Sequence, residues 1–168
     1  MIAVIALAMF AVAGLAACEP VPPTTTTTTT TTTVPGTTPG AKAVAAARTQ
    51  LGQPYVSGGE SRAEGGFDCS GLTYFSWKAA GVTLPRTSSA QYTFTQRVTR
   101  AALLPGDLVF YSSTSSTGSI THVALYEGNS MMIQAQKPGV VVKEQNVDTW
   151  WKTNLVGFGR IPASALPK

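Results

Sequence analysis

Histidine is nearly absent from this chain: there is one, His122, in 168 residues. Cysteine is almost as scarce, with Cys18 near the start and Cys69 in the body. One imidazole and two distant thiols cannot supply the closely spaced nitrogen and sulfur ligands of a zinc site, so no metal or other cofactor is expected. Residues 41–168 hold a single cysteine and therefore no internal disulfide. Charge is sparse as well, at 12% of residues, and the basic side chains form no run or stripe. That scatter speaks against nucleic acid as a partner. What remains in the body is one thiol and one imidazole, the minimum inventory for nucleophilic thiol catalysis.

Long apolar runs are also missing, apart from residues 2–17, which contain Gly14 and no charge. This run is shorter than the roughly 20 residues a membrane-spanning helix needs, and it suits the core of an export signal. It ends in Leu15-Ala16-Ala17-Cys18. Small residues before a cysteine resemble the lipobox of bacterial lipoproteins, which implies acylation of Cys18 and anchoring at the outer face of the cytoplasmic membrane. No Lys or Arg precedes the run, so the usual basic flank is lacking. The alternative is an ordinary cleaved signal, which would leave the protein in the cell wall or outside the cell.

Residues 18–40 read as a tether. Positions 24–33 are all threonine, flanked by Pro20, Pro22, Pro23, Pro35 and Pro39. Such a segment has too little apolar surface to offset its ordering entropy. In a polyproline-like chain at about 3.1 Å per residue it would reach roughly 70 Å. Residues 41–168 then form one domain. They carry 12 basic residues against 7 acidic ones, a net +5 that favours anionic surroundings such as a carboxylate-rich wall polymer.

Within the domain the pattern predicts a helix over 41–51 stopping at Gly52, a loop to Gly66, and a helix over 70–80 stopping at Gly81. A turn at Pro105-Gly106-Asp107 leads into a strand over 108–111, and a polar loop fills 112–119. Strands follow over 122–126, 131–135, 140–143 and 155–161. Helices grouped ahead of strands indicate an α+β domain with helices packed on a central antiparallel sheet.

Cys69 lies in Phe67-Asp68-Cys69-Ser70-Gly71-Leu72. Asp68 in the cap position puts Cys69 at a helix N-terminus, where free N–H groups and the dipole favour a thiolate and can receive an oxyanion. A hairpin centred on Gly128 would set residue 134 beside residue 122. The amide oxygen of Gln134 would then accept the imidazole N–H and orient the ring. The alternative for Gln134 is a polar strand residue with no part in catalysis.

Asp68-Cys69-Ser70-Gly71-Leu72, Gly81-Val82-Thr83-Leu84-Pro85-Arg86 and Ser89-Ala90-Gln91 resemble the NlpC/P60 cysteine peptidases. The likeness continues through Pro105-Gly106-Asp107-Leu108-Val109-Phe110 and Thr121-His122-Val123-Ala124-Leu125-Tyr126 to Gly128-Asn129, covering about residues 41–162. It implies a papain-like α+β fold and hydrolysis of peptidoglycan stem peptides, commonly at the γ-D-glutamyl–diamino acid bond. By position, Cys69 would be the nucleophile, His122 the general base and Gln134 the polar third residue. Tyr55 matches a tyrosine that binds oxyanion or substrate, or is an ordinary packed tyrosine. Asp68, Ser70, Arg86 and Ser89 fall where substrate contacts are expected, and Arg86 reads equally as a solvated charge. Two departures stand out: Val56-Ser57-Gly58-Gly59 replaces an aromatic before paired glycines, and Gln134 cannot become charged. A wall-binding module without catalysis, an acyl-transferase or amidase working through acyl-Cys69, and a toxin delivered to competitors are the competing readings. A monomer is expected, with peptidoglycan stem peptides as the partner.

Overall fold

The computed structural model describes residues 38–168; the apolar run, Cys18 and the threonine tract lie outside the described residues. The first helix, α1 (Pro39–Arg48), begins inside the stretch read as tether. Thr38 accepts the N–H of Ala41 through its hydroxyl and Pro39 occupies the first turn, so a Thr-Pro pair acts here as a cap and helix start. The helix ends at Arg48, three residues short of the expected end at Leu51.

A short hairpin, β1 (Glu60–Ser61) and β2 (Gly66–Phe67), precedes α2 (Cys69–Ala79). A third helix, α3 (Ser88–Phe94), capped by the hydroxyl of Thr87, was not expected. Six strands form the main sheet: β3 (Gln96–Val98), β4 (Leu108–Ser112), β5 (Ile120–Gly128), β6 (Met131–Gln134), β7 (Lys143–Asn146) and β8 (Leu155–Arg160). They are ordered β3-β8-β4-β5-β6-β7 and every pair is antiparallel. The α+β class read from the sequence is the one observed.

Alternation along the strands sorts the core into two clusters. Leu108, Phe110, Val123, Leu125 and Ile133 face Ala43, Val44 and Ala47 of α1 and Leu72 of α2. Val109, Tyr111, Ala124, Tyr126, Met132, Val147 and Phe158 pack on the other face. The Pro105-Gly106-Asp107 motif is a folding device. Asp107 accepts the Leu104 N–H at 2.8 Å and pairs with Arg160 at 2.7 Å. Gly106, at φ +99°, presses against Gly40, where a side chain would collide with backbone.

The expected strand over 140–143 is displaced. Val142 exchanges backbone hydrogen bonds with Gln53 and Gly52 at 2.8 and 2.9 Å, and Val141 bridges Pro54. The polar residues of β7 pair with β6 instead. Burial of Val142 in the helix-side core draws this apolar run out of the sheet ladder.

Candidate active site

Cys69 is the first residue of α2, and Asp68 is its cap, accepting the Gly71 N–H at 2.6 Å. At that position the Cys69 N–H has no intrahelical acceptor. Gly71 permits the close approach of the helix to the Gly59 carbonyl, which a Cβ there would strike. The strand β5 crosses the same end of the helix, with the Val123 N–H on the side of the Cys69 sulfur. His122, one residue earlier, opens with Cys69 into a single cleft of about 380 Å³. Tyr55, Thr121, Gln136, Lys137, Trp150 and Trp151 complete its walls.

The His122 Nε2 bonds to the Gln134 Oε1 at 2.8 Å. The hairpin register behind this contact differs from expectation. Leu125 pairs with Ile133 and Tyr126 with Met132, then a bulge pairs Gly128 with Met131. The turn is Asn129-Ser130, both at positive φ (51° and 62°). Continuing the register sets Gln134 opposite Ala124, so it reaches His122 diagonally along the shared face. With its oxygen on Nε2, Gln134 selects the tautomer that leaves the Nδ1 lone pair free. Gln134 is fully buried, and among the described residues its Nε2 has no hydrogen-bond partner.

Burial dominates the protonation of both groups. His122 is 5% exposed, with Trp150 and Tyr111 at ring distances of 5.3 and 6.0 Å. Desolvation pushes its pKa down to about 4, against a smaller upward pull from Gln134. Burial also pushes the Cys69 thiol up, partly offset by the Val123 N–H and reinforced by the Asp68 carboxylate. Burial thus opposes the depression of the thiol expected from the helix N-terminus. Burial biases both groups towards their neutral forms, thiol and imidazole. Burial is likewise the main cause raising the Tyr55 hydroxyl, followed by its neighbour Cys69.

Arg86 does not offer a free docking cation. Its Nε pairs with Glu60 at 2.9 Å. Nη1 donates to Asp68 and Ser70, both at 3.0 Å. Nη2 donates to Asp68 at 2.9 Å and to the Gly59 carbonyl at 3.2 Å. Four hydrogen bonds take up its Nη donors, and Glu60 pairs with the charge at Nε. Asp68, Ser70, Arg86 and Ser89, expected as substrate contacts, stand outside the cleft lining, and each makes internal bonds. Ser89 donates to the Ile120 carbonyl at 3.0 Å and ties α3 to the start of β5. Gln91, fully buried, bridges the Ser70 and Pro85 carbonyls at 3.0 and 2.9 Å. Arg86→Met is expected to cost about 1–3 kcal/mol by leaving Asp68 unpaired, with Arg86→Lys restoring less than half. Denaturant melts of both variants check this.

The aromatic wall was missed in the sequence. Two of the three tryptophans in the chain are adjacent, Trp150-Trp151. Trp151 lies at φ +45° while 37% exposed. A bulky residue in the left-handed region at a cleft marks stored strain. Among the described residues no group of three or more His, Cys, Asp and Glu could hold a metal ion.

The NlpC/P60 family profile matches residues 52–160. The chain belongs to the NlpC/P60 family. The bifunctional muramidase/DL-endopeptidase CwlT of Bacillus subtilis is 43% identical over 110 residues, covering 66% of this chain and 33% of CwlT. The gamma-DL-glutamyl hydrolase of the same organism is 37% identical over 123 residues, covering 73% and 29%. The crystal structure of an NlpC/P60 family protein from Bacillus cereus superposes with a TM-score of 0.69 at 32% identity, covering 76% of this chain and 40% of that one. The chain spans a third or less of the length of these two curated relatives. What they share with it is the NlpC/P60 domain.

Proposed function

We propose that this chain is an exported cell-wall hydrolase. It cleaves peptidoglycan stem peptides, at the γ-D-glutamyl–diamino acid bond, by Cys69–His122 catalysis. The observation that carries this reading is the 2.8 Å bond from His122 Nε2 to Gln134, which leaves Nδ1 as a free base in the cleft that holds Cys69. Relatives named as a DL-endopeptidase and a gamma-DL-glutamyl hydrolase support the choice of bond. Anchoring through an acylated Cys18 is part of the same proposal.

The thiol and imidazole start neutral, so proton transfer accompanies attack. Sγ forms a bond to the amide carbonyl carbon as its proton passes to Nδ1, and Gln134 holds the new imidazolium through Nε2–H. The oxyanion meets the unpaired Cys69 N–H and the Tyr55 hydroxyl. His122 returns the proton to the departing nitrogen as the C–N bond breaks and a thioester remains. Water, giving a proton to His122, attacks the thioester and restores the thiol.

Incubation of the protein with defined muropeptides, read by product mass, tests this. A mass gain of one water with cuts at a single stem-peptide bond is expected. Transfer of the acyl group to another acceptor, or binding without any cut, would reject hydrolysis. Gln134→Leu keeps the volume but frees the ring, and kcat is expected to fall roughly 10- to 100-fold with KM little changed. Gln134→Glu places a carboxylate on Nε2 and is expected to move the acid limb of the rate profile upward in pH.

A further inference from the structure

Among the described residues lining the catalytic cleft, Lys137 alone carries a charge at neutral pH. It is exposed and forms no ion pair among the described residues. The nearby guanidinium of Arg86 is bonded to Asp68, Ser70 and Gly59, is ion-paired with Glu60, and stands outside the lining. The cation available to a bound molecule is therefore the Lys137 ammonium.

The backbone of Lys137 is held in place. It opens the turn Lys137-Pro138-Gly139-Val140, in which the Val140 N–H bonds the Lys137 carbonyl at 3.1 Å and Gly139 sits at φ +79°. Proline then glycine at the two central positions fits a type II turn, so the approach of the side chain is set by rigid chain rather than by a long loop. Trp150 and Trp151 form an aromatic wall in the same cleft and supply apolar contact for a substrate's aliphatic chain.

We propose that Lys137 is a specificity residue that reads a free carboxylate next to the scissile bond. The inference rests on the stem-peptide reading above. An amide made through the side-chain carboxyl of glutamate leaves the α-carboxylate of that residue free, on the acyl side. A carboxyl-bearing diamino acid brings a second one, on the amine side. Both present the same chemistry to an ammonium, and amidation removes it from either. In a cleft shielded by tryptophans, a single charge pair is screened less than on open surface.

The test uses the whole chain and three synthetic tetrapeptides, L-Ala-γ-D-Glu-diaminopimelate-D-Ala with both carboxylates free and its two mono-amides. We expect wild type to favour the free acid over one mono-amide by roughly tenfold in kcat/KM. Lys137→Met should bring that ratio close to one, Lys137→Arg should keep most of it, and added salt should erode it in wild type. The mono-amide that is disfavoured tells which carboxylate is read. A wild-type ratio near one for both mono-amides, or a ratio unchanged in Lys137→Met, overturns the proposal. If wild type cleaves none of the peptides, the stem-peptide reading itself fails and the role of Lys137 with it. Thermal melts of both variants separate a lost contact from a lost fold.

Discussion

Cys69→Ala will leave a folded protein with no measurable peptide hydrolysis. In the proposed mechanism the sulfur forms the acyl bond, and neither Ser70, committed to Asp68 and Arg86, nor Tyr55 can replace it at the helix terminus. A fall of at least about 10⁴-fold in kcat/KM is expected, since the residual rate comes only from binding and the oxyanion donors. Stability should change by about 1 kcal/mol or less, because Cys69 is half-buried at the edge of the helix-side core and loses one small group. Product mass and a thermal melt on the same sample read both quantities. Cleavage at more than a hundredth of the wild-type rate would remove Cys69 as nucleophile. Loss of cleavage together with the fold would instead make the thiol a packing group.

The second large effect is acid sensitivity through His122. Its folded pKa, about 4, lies below the ordinary value of 6.5. Between those values the unfolded chain takes up a proton that the folded protein refuses, so stability rises with pH across that window. The contribution is complete above about pH 6.5 and lost as pH falls towards 4. A shift of this size corresponds to something on the order of 3 kcal/mol. Melting wild type and His122→Asn at steps from pH 7 to 4 isolates it, because the ion pairs of Arg86, Arg100 and Arg160 titrate alike in both. The wild type should lose more stability on acidification than the variant; parallel curves would mean that the imidazole is hydrated. The same depression predicts that hydrolysis persists below pH 6, with an acid limb near pH 4 to 5.

These two effects differ in how far they could be read from the chain. The proposed nucleophile and base were legible because of scarcity: one thiol and one imidazole remained once Cys18 was set aside, and the blocks around them are strongly patterned. The cap at Asp68 and the stop at Gly81 are local, made by atoms a few residues apart, and α2 forms where the pattern puts it. Local signals failed where composition misled. Thr38-Pro39 starts a helix within a stretch whose composition reads as tether, and the apolar run at Val140 to Val142 pairs with residues near 53 rather than with β6. The hairpin register slipped by two residues because a bulge and the Asn129-Ser130 turn moved its centre, although period-two alternation kept Gln134 on the face of His122.

The charge states could not be read from the chain at all. A helix N-terminus by itself argues for a thiolate, yet burial and Asp68 push the thiol the other way. Arg86 reads as a free cation until its partners Gly59, Glu60, Asp68 and Ser70 are in place. The cleft walls are likewise assembled from afar, with Tyr55, Lys137 and Trp151 meeting around Cys69. The sequence alone determined which atoms are available for chemistry and which short segments coil or extend, because those properties depend on near neighbours. Only the tertiary structure decided which protons stay, which charges are already spent and what surrounds the sulfur, because desolvation and ion pairing sum over groups that the chain brings together only by folding.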